Sequence, residues 1–292
     1  MCDVEVVLQR NKGKQVFLVD NMWYMTKCFA MMSDLQSDRG YKTGHLYGIT
    51  NFVINIKKYF PEAVIIICED LGSNNRKELN EDYKAGRTRL FSFDKLFDFE
   101  KALLSDVPET YFCYVDNYEA DDVIFSISKI KDYGNEFIIF SGDNDMLQAL
   151  DDTTKIVRKI KGNLFEVEIT EGCEYYNKSY EGLRPEQIPV FRAIIGDSSD
   201  NLKPIIPRFP KKIAKLYASN KLEEVKLSDK EKEWASKIIN EGFSAFETNL
   251  SIMKLKKLKV MVRGKVPHKS IPASVYLGLG RFEKWCRLNN IS

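Results

Sequence analysis

Nine carboxylates in five separate segments are the side chains of this sequence best suited to act together: Asp20; Asp70; Glu119, Asp121 and Asp122; Asp143 and Asp145; Asp197 and Asp200. Taken singly, each has an ordinary explanation. Asp20, Asp143 and Asp197 suit helix N-caps. Glu119 and Asp122, at i and i+3, suit a solvated helix face near a positive helix start. Taken together, converging carboxylates would repel strongly unless cations stood between them. Hard divalent ions, Mg²⁺ or Mn²⁺, prefer such oxygen donors. An all-oxygen site without histidine suits two-metal cleavage of a phosphodiester. Histidine catalysis has little material here, since the chain has only His45 and His268, and His45 is expected to be structural.

Four of the acidic segments follow short apolar runs at residues 16–19, 64–68, 111–115 and 137–140. Runs this short and this rich in Ile, Val and Phe predict strands covered on both faces. Between them the periodicity becomes helical. Val123, Ile124, Ile127 and Ile130 share one face after Glu119, and Leu46, Ile49, Val53, Ile56 and Phe60 do so after Gly44. Strands alternating with helices predict an α/β fold with right-handed crossovers and a mostly parallel sheet. Ligands of such sheets bind beyond the carboxyl ends of the strands, where these acids lie. After Pro189 strand-like runs nearly vanish and lysine-rich helical segments take over, so the chain is divided into residues 1–184 and 185–292. Residues 253–259, Met-Lys-Leu-Lys-Lys-Leu-Lys, read as an amphipathic helix closing the second part, or as a basic strip along a duplex.

The 292 residues suffice for one large domain or two moderate ones. A hydrophobic fraction of 44% and a charged fraction of 29% exclude a disordered chain. No apolar run reaches the ~20 residues of a membrane helix, and residues 1–5 do not resemble a secretory signal. The six cysteines are scattered without a CxxC pair, which suits reduced thiols in the cytoplasm and argues against zinc. The net charge of +2 hides an asymmetry, since residues 201–292 carry 20 basic and 8 acidic side chains against 24 and 34 in residues 1–200. That bias suits either a polyanion partner or a solvated lysine-rich surface.

Three motifs then occur in order: Glu119-Ala-Asp-Asp-Val-Ile, Ser141-Gly-Asp-Asn-Asp-Met-Leu-Gln and Gly196-Asp-Ser-Ser-Asp-Asn. Their order and spacing resemble the 5′ nuclease superfamily, the group of the bacteriophage 5′→3′ exonucleases, the 5′ nuclease domain of bacterial DNA polymerase I and the flap endonucleases. The resemblance runs from about residue 16 to residue 217. Thr43-Gly44-His45-Leu46-Tyr47-Gly48 is similar to the family's helix opening after the first strand, and Arg76, Leu79, Tyr83, Lys84 and Arg87 to the base of its helical arch.

The resemblance implies a PIN-like, mostly parallel sheet flanked by helices, a short arch near residues 71–105, and a C-terminal domain of helix-hairpin-helix type. By position, Asp20, Asp70 and Asp121 would hold a first Mg²⁺, with Glu119 and Asp122 assisting; Mn²⁺ could substitute. Asp143, Asp145 and Asp197 would hold a second, with Asp200 outside. Lys84 and Arg87 would be catalytic, holding the phosphate, unless they are an ordinary basic helix face. Arg76, Tyr83, Lys27, Arg208, Lys211, Lys212 and Lys215 would contact nucleic acid. Trp23 or Tyr24 would stack on a terminal base or lie in the core. The implied substrate is DNA with a 5′ end or flap, cut as a 5′→3′ exonuclease and flap endonuclease. The implied setting is a monomer with replication proteins as partners, in a bacterial or phage-infected cytoplasm.

One segment departs from the pattern. Relatives follow the Gly-Asp-Ser-Ser-Asp-Asn segment with a glycine-rich hairpin whose N–H groups and a K⁺ ion grip duplex phosphates. Residues 202–210 instead read Leu-Lys-Pro-Ile-Ile-Pro-Arg-Phe-Pro. Proline removes N–H donors and fixes φ, which argues against the backbone grip and makes a K⁺ site doubtful. Side-chain contacts from Arg208, Lys211, Lys212 and Lys215 would replace the grip, with steeper salt dependence. Two alternatives stay open: a non-catalytic nucleic-acid binder, or a ribonuclease of RNase H-like or PIN type acting on RNA or RNA–DNA hybrid.

Overall fold

A computed structural model describes residues 2–36, 42–85, 100–101, 104, 107–160, 163–167 and 180–263. The strands and helices are, in order, β1 (Cys2–Asp3), α1 (Val4–Arg10), β2 (Gln15–Asp20), α2 (Asn21–Met31), α3 (Gly44–Tyr59), β3 (Val64–Cys68), α4 (Asn74–Lys77), β4 (Thr110–Tyr114), α5 (Ala120–Ser128), β5 (Glu136–Phe140), β6 (Thr154–Ile160), β7 (Asn163–Val167), α6 (Ile188–Ile195), α7 (Lys211–Ala218), α8 (Asp229–Asn240), α9 (Phe243–Met253) and β8 (Met261–Val262). Three-residue and longer 3₁₀ turns lie between them, including Asn144–Ala149 and Ser198–Asp200.

The eight strands form one sheet in the order β1-β8-β4-β3-β2-β5-β6-β7. The central strands β4, β3, β2, β5 and β6 run parallel, so the sheet is mostly parallel and flanked by helices. β3 is buried along its whole length. Its alternate side chains go to different places, because successive residues of a strand face opposite ways. Val64, Ile66 and Cys68 join Val16 and Leu18 of β2 in one apolar cluster, with α1, α5 and α6. Ile65 and Ile67 join Phe17 and Val19 in a second, under Ile49, Val53 and Ile56 of α3. Each fully buried Ile of this kind is worth roughly 1.5–3 kcal/mol of transfer free energy.

The four apolar runs are β2 to β5 as expected. α3 and α5 bury the expected faces except at their ends, since Phe60 lies just past α3 and is 44% exposed, and Ile130 lies past α5 and is half-buried. Four strands were not expected. β1 and β8 have two residues each, too few for a pattern, and β6 and β7 form an antiparallel hairpin at the end of the sheet. A second difference is sharper. Residues 254–260 are not a helix but an extended strap that leaves α9 and returns to β8 beside β4. Its backbone groups bond to side chains of the sheet domain. Lys256 N–H donates to Asp122 Oδ1 at 2.9 Å and Leu258 N–H to Ser126 Oγ at 2.9 Å. Gln148 donates to the Met253 carbonyl at 2.9 Å and accepts from Leu255 N–H at 3.2 Å. Those bonds replace the helical ladder, while Leu255 and Val260 enter the core and Lys254, Lys257 and Lys259 stay exposed. Among the described residues no helix is long and apolar enough to cross a membrane.

Candidate metal centre

Parallel strands end on the same side, so β2, β3 and β5 deliver their following residues to one edge. Asp20 closes β2 in register with Cys68, and Val19 pairs with Phe140. Asp70 and Asp143 follow two and three residues beyond their strands. Asp20 also caps α2, accepting from Trp23 N–H at 3.1 Å, and Ser141 Oγ donates to its other oxygen at 2.8 Å. Asp70 accepts from Ala120 N–H at 2.5 Å, which ties the end of β3 to the start of α5. Asp143 caps the 3₁₀ turn that carries Asp145. Asp197 caps the next such turn, which carries Asp200.

Like-charge repulsion links Asp20, Asp70, Glu119, Asp121, Asp122, Asp143, Asp145 and Asp200. Burial, then Asp70 and Asp143, push the Asp20 carboxyl up to about 8. Burial with Glu119 and Asp121 nearby takes Asp70 to about 6. Burial takes Asp145 to about 7 against the pull of Arg192, with Asp143, Asp121 and Asp200 adding to the rise. Asp122, fully buried, is pushed up by burial and by Asp121. Asp121 is the exception. Burial opposes it, yet Arg76 and Lys84 hold its carboxyl below the ordinary range. Asp197 connects to Asp145 through the guanidinium of Arg192.

The cations among these acids come from three places. Arg76 on α4 is 2% exposed. It donates to Glu119 and, at 3.2 Å, to both oxygens of Asp121. Its other nitrogen stands 2.9 Å from Asp122 Oδ2 as an ion pair without hydrogen-bond geometry. Lys84 Nζ lies 2.6 Å from Glu119 Oε1, and the Tyr83 hydroxyl donates to Glu119 Oε2 at 3.0 Å. Lys84 N–H reaches the Asp200 carbonyl at 3.1 Å and Asn201 Nδ2 the Asp82 carbonyl at 3.0 Å, so residues 82–84 clasp the turn at 197–201. Arg192 on α6 bridges Asp145 and Asp197. Among the described residues no three acids, histidines or cysteines form a ready-made ion cage.

A cleft of about 550 Å³ opens over this edge, walled by Trp23, Gly142, Asp143, Arg192 and Gly196-Asp197. A Cβ on Gly142 would overlap the Trp23 indole, and Gly196, at φ 72°, lies against the backbone of Leu202, Lys203 and Pro204. Tyr24 instead packs into the core beside Phe52 and Phe140. His45 is buried, and burial takes its imidazole down to about 4. Lys27 sits over the Trp23 ring at 4.4 Å.

The structure therefore brings the nine acids, Arg76, Tyr83 and Lys84 into one cluster. It leaves Arg208, Lys211, Lys212 and Lys215 apart from it, on the proline-rich hairpin and α7. Arg208, Lys211 and Lys212 are exposed, and Lys212 pairs with Glu231 at 2.6 Å. Arg87 lies outside the described residues, as do residues 86–99 of the segment expected to form the arch. The sequence does not single out Ser141 or Arg192. Arg192 does carry a signal, being the lone charge in Ile188-Pro-Val-Phe-Arg-Ala-Ile-Ile195, and a buried cation requires anionic partners. Glu69, beside Asp70, is likewise held by Lys101 at 2.8 Å and Arg263 at 2.7 Å.

Residues 15–178, more than half of the chain, match the family model of the 5′-3′ exonuclease N-terminal resolvase-like domain. The chain belongs to the 5′-3′ exonuclease family. Family members with similar sequences include the 5′-3′ exonuclease of Buchnera aphidicola subsp. Acyrthosiphon pisum, 27% identical over 222 residues, with 73% of each chain covered. The DNA polymerase I of Bacillus subtilis is 30% identical over 204 residues, covering 69% of this chain and 23% of the polymerase. The chain thus spans about a quarter of its DNA polymerase I relatives. Among solved structures, the zinc-bound 5′-exonuclease of bacteriophage T5 aligns with a TM-score of 0.59 at 14% identity, over 83% of this chain and 90% of that one. At that identity the likeness concerns the fold.

Proposed function

We propose that this chain of the 5′-3′ exonuclease family is a divalent-metal-dependent 5′ nuclease. It hydrolyses DNA phosphodiesters as a 5′→3′ exonuclease and structure-specific flap endonuclease. The observation that carries the reading is the meeting of nine carboxylates at one edge of a parallel sheet. Their donors are all oxygen, and Asp20, Asp70 and Asp145 are buried beside like charges, a setting that suits hard cations. Asp20, Asp70 and Asp121, helped by Glu119 and Asp122, would hold one Mg²⁺. Asp143, Asp145 and Asp197, with Asp200 outside, would hold the other. When bound, such ions lower the pKa of an attacking water and stabilise a leaving 3′ oxygen.

The chain's own groups bind and orient. Ser141 and the Trp23 N–H fix both oxygens of Asp20. Lys84, anchored through Glu119 and the Asp200 carbonyl, would meet the scissile phosphate, with Arg87 as its partner. Trp23, at the wall of the cleft, offers a face for a terminal base. The duplex would run along the 185–292 portion, where Arg208, Lys211, Lys212, Lys215 and the exposed strap lysines offer cations to phosphates. Zinc in T5 5′-exonuclease, and DNA with metal ions in the T5 flap endonuclease, are the ligands of the solved relatives that agree with this assignment.

The test is a 5′-labelled flap duplex with and without Mg²⁺. Short 5′ products should appear only with the ion, and Asp143→Ala with Asp145→Ala should abolish them in a chain that still melts cooperatively. Products from the 3′ end alone would overturn the polarity. Salt-sensitive binding without cleavage under any divalent ion would leave a binding protein instead. Faster cleavage of an RNA or hybrid version would move the substrate class.

A further inference from the structure

Each half of the acid cluster contains one buried guanidinium. Arg76 sits among Glu119, Asp121 and Asp122, and Arg192 between Asp145 and Asp197. Arg192 is the one carried by a helix of the main apolar core. It is 5% exposed and stands on α6, where Ile188, Phe191, Ala193 and Ile194 belong to the main apolar core. Its Nη1 donates to Asp145 Oδ1 and its Nη2 to Asp197 Oδ2. The two acids come from different turns, 52 residues apart in sequence, and nothing else joins their side chains among the bonds described. A guanidinium fork is suited to bridge two carboxylates. Burying it is costly unless both pairs form.

Asp145 and Asp197 are also two of the three carboxylates that would hold the second ion in the proposed function, and Arg192 takes one oxygen of each. A divalent cation and a guanidinium held a few ångströms apart in a buried pocket repel strongly. That repulsion sets the two cations in competition for the same pair of carboxylates. We infer that Arg192 is an exchangeable counter-ion: it holds Asp145 and Asp197 together in the metal-free chain and is turned away from them when the second ion binds. The inference rests on the two-metal reading for the class of ligand. It makes a separate claim about sign. A guanidinium that merely supported the acids would strengthen metal binding, whereas one that occupies their oxygens weakens it.

The experiment is a Mn²⁺ titration of the full chain without nucleic acid, followed by calorimetry and by the electron paramagnetic resonance of free Mn²⁺. Wild type is compared with Arg192→Gln and Arg192→Lys. The weaker Mn²⁺ ion should bind about tenfold more tightly to Arg192→Gln, equivalent to about 1.4 kcal/mol. That variant should also melt lower in EDTA, and the deficit should close as Mn²⁺ saturates. Arg192→Lys, which keeps the charge but loses the fork, should fall between. Unchanged or weaker Mn²⁺ binding in Arg192→Gln overturns the exchange. Should that variant not fold without metal, wild-type ¹⁵N spectra of the arginine side chains serve instead. One guanidinium that Arg192→Lys removes from the spectrum should rotate slowly in EDTA and freely in saturating Mg²⁺, and slow rotation in both overturns the inference. A wild-type chain that binds no second ion defeats the two-metal reading as well. Two bound ions without tightening in the variant defeats only the exchange.

Discussion

The two halves of the acid cluster are neutralised by the same chemistry from different parts of the fold. Around Asp70, Glu119, Asp121 and Asp122 the cations are Arg76 and Lys84, on the stretch that follows β3. Around Asp145 and Asp197 the cation is Arg192, on a helix buried along most of its length. α4 has four residues, and Leu79 just beyond it is exposed, whereas six of the eight residues of α6 are buried. A converged set of carboxylates draws its counter-charge from whichever element lies nearest. On the first side that element is short and partly exposed; on the second it is a helix of the core, although Arg192 itself also lines the cleft. Under the proposed function Lys84 would serve both acid and substrate, whereas Arg192 would serve the acids.

The comparison breaks most visibly with the acids themselves. Asp70→Ala and Asp145→Ala should each lower flap cleavage by ~10³-fold or more, several kcal/mol of lost stabilisation. Each should keep one of two Mn²⁺ ions by calorimetry. Loss of both ions in either variant would merge the halves into one site. Next in size, Lys84→Ala should slow cleavage by ~10²-fold without loss of either ion, because its role on the first side is toward substrate. A matching loss of metal would make it a counter-ion only.

A smaller effect is expected on stability. Asp20 and Asp145 are raised to about 8 and about 7 from 3.8. A raised carboxyl favours the folded chain in its neutral form, so this contribution is complete below about pH 4 and is lost as pH rises through the folded values. Asp121, held low, acts in the opposite sense, with stability lost as pH falls. With more groups raised than lowered, melting in EDTA should drop by on the order of 5–10 °C between about pH 5 and about pH 8.5. Saturating Mg²⁺ should flatten the profile. A flat profile in EDTA would mean that the arginines already neutralise both halves fully. Smallest of all, Lys254→Glu with Lys257→Glu should reduce the slope of log affinity for duplex against log salt by about 2 and leave both ions in place. An unchanged slope would remove the strap from the duplex path.

Much of this site can be read in the sequence because its logic is local. The apolar runs at 64–68 and 137–140 show where β3 and β5 stop, and parallel strands then force Asp70 and Asp143 to the edge shared with Asp20. The ambiguity of single acids as caps also proves instructive, since Asp20 and Asp143 are N-caps and members of the cluster at once. The lysine–leucine alternation of 253–259 fits a helix face or an extended strip equally well. What decides is the presence of Asp122, Ser126 and Gln148 alongside, which accept or donate the bonds a helix would have kept for itself. β6 and β7 escape notice because a hairpin at the end of the sheet needs no continuous apolar run.

By itself the sequence determined the class of fold, the order of the central strands' acids and the hard, oxygen-only character of the donors, because side-chain type and strand length are written residue by residue. Only the tertiary structure decided which cation meets which carboxylate. Arg76, Lys84 and Arg192 lie tens of residues from most of their partners, and a buried charge takes whatever opposite charge the packing of distant segments brings within reach.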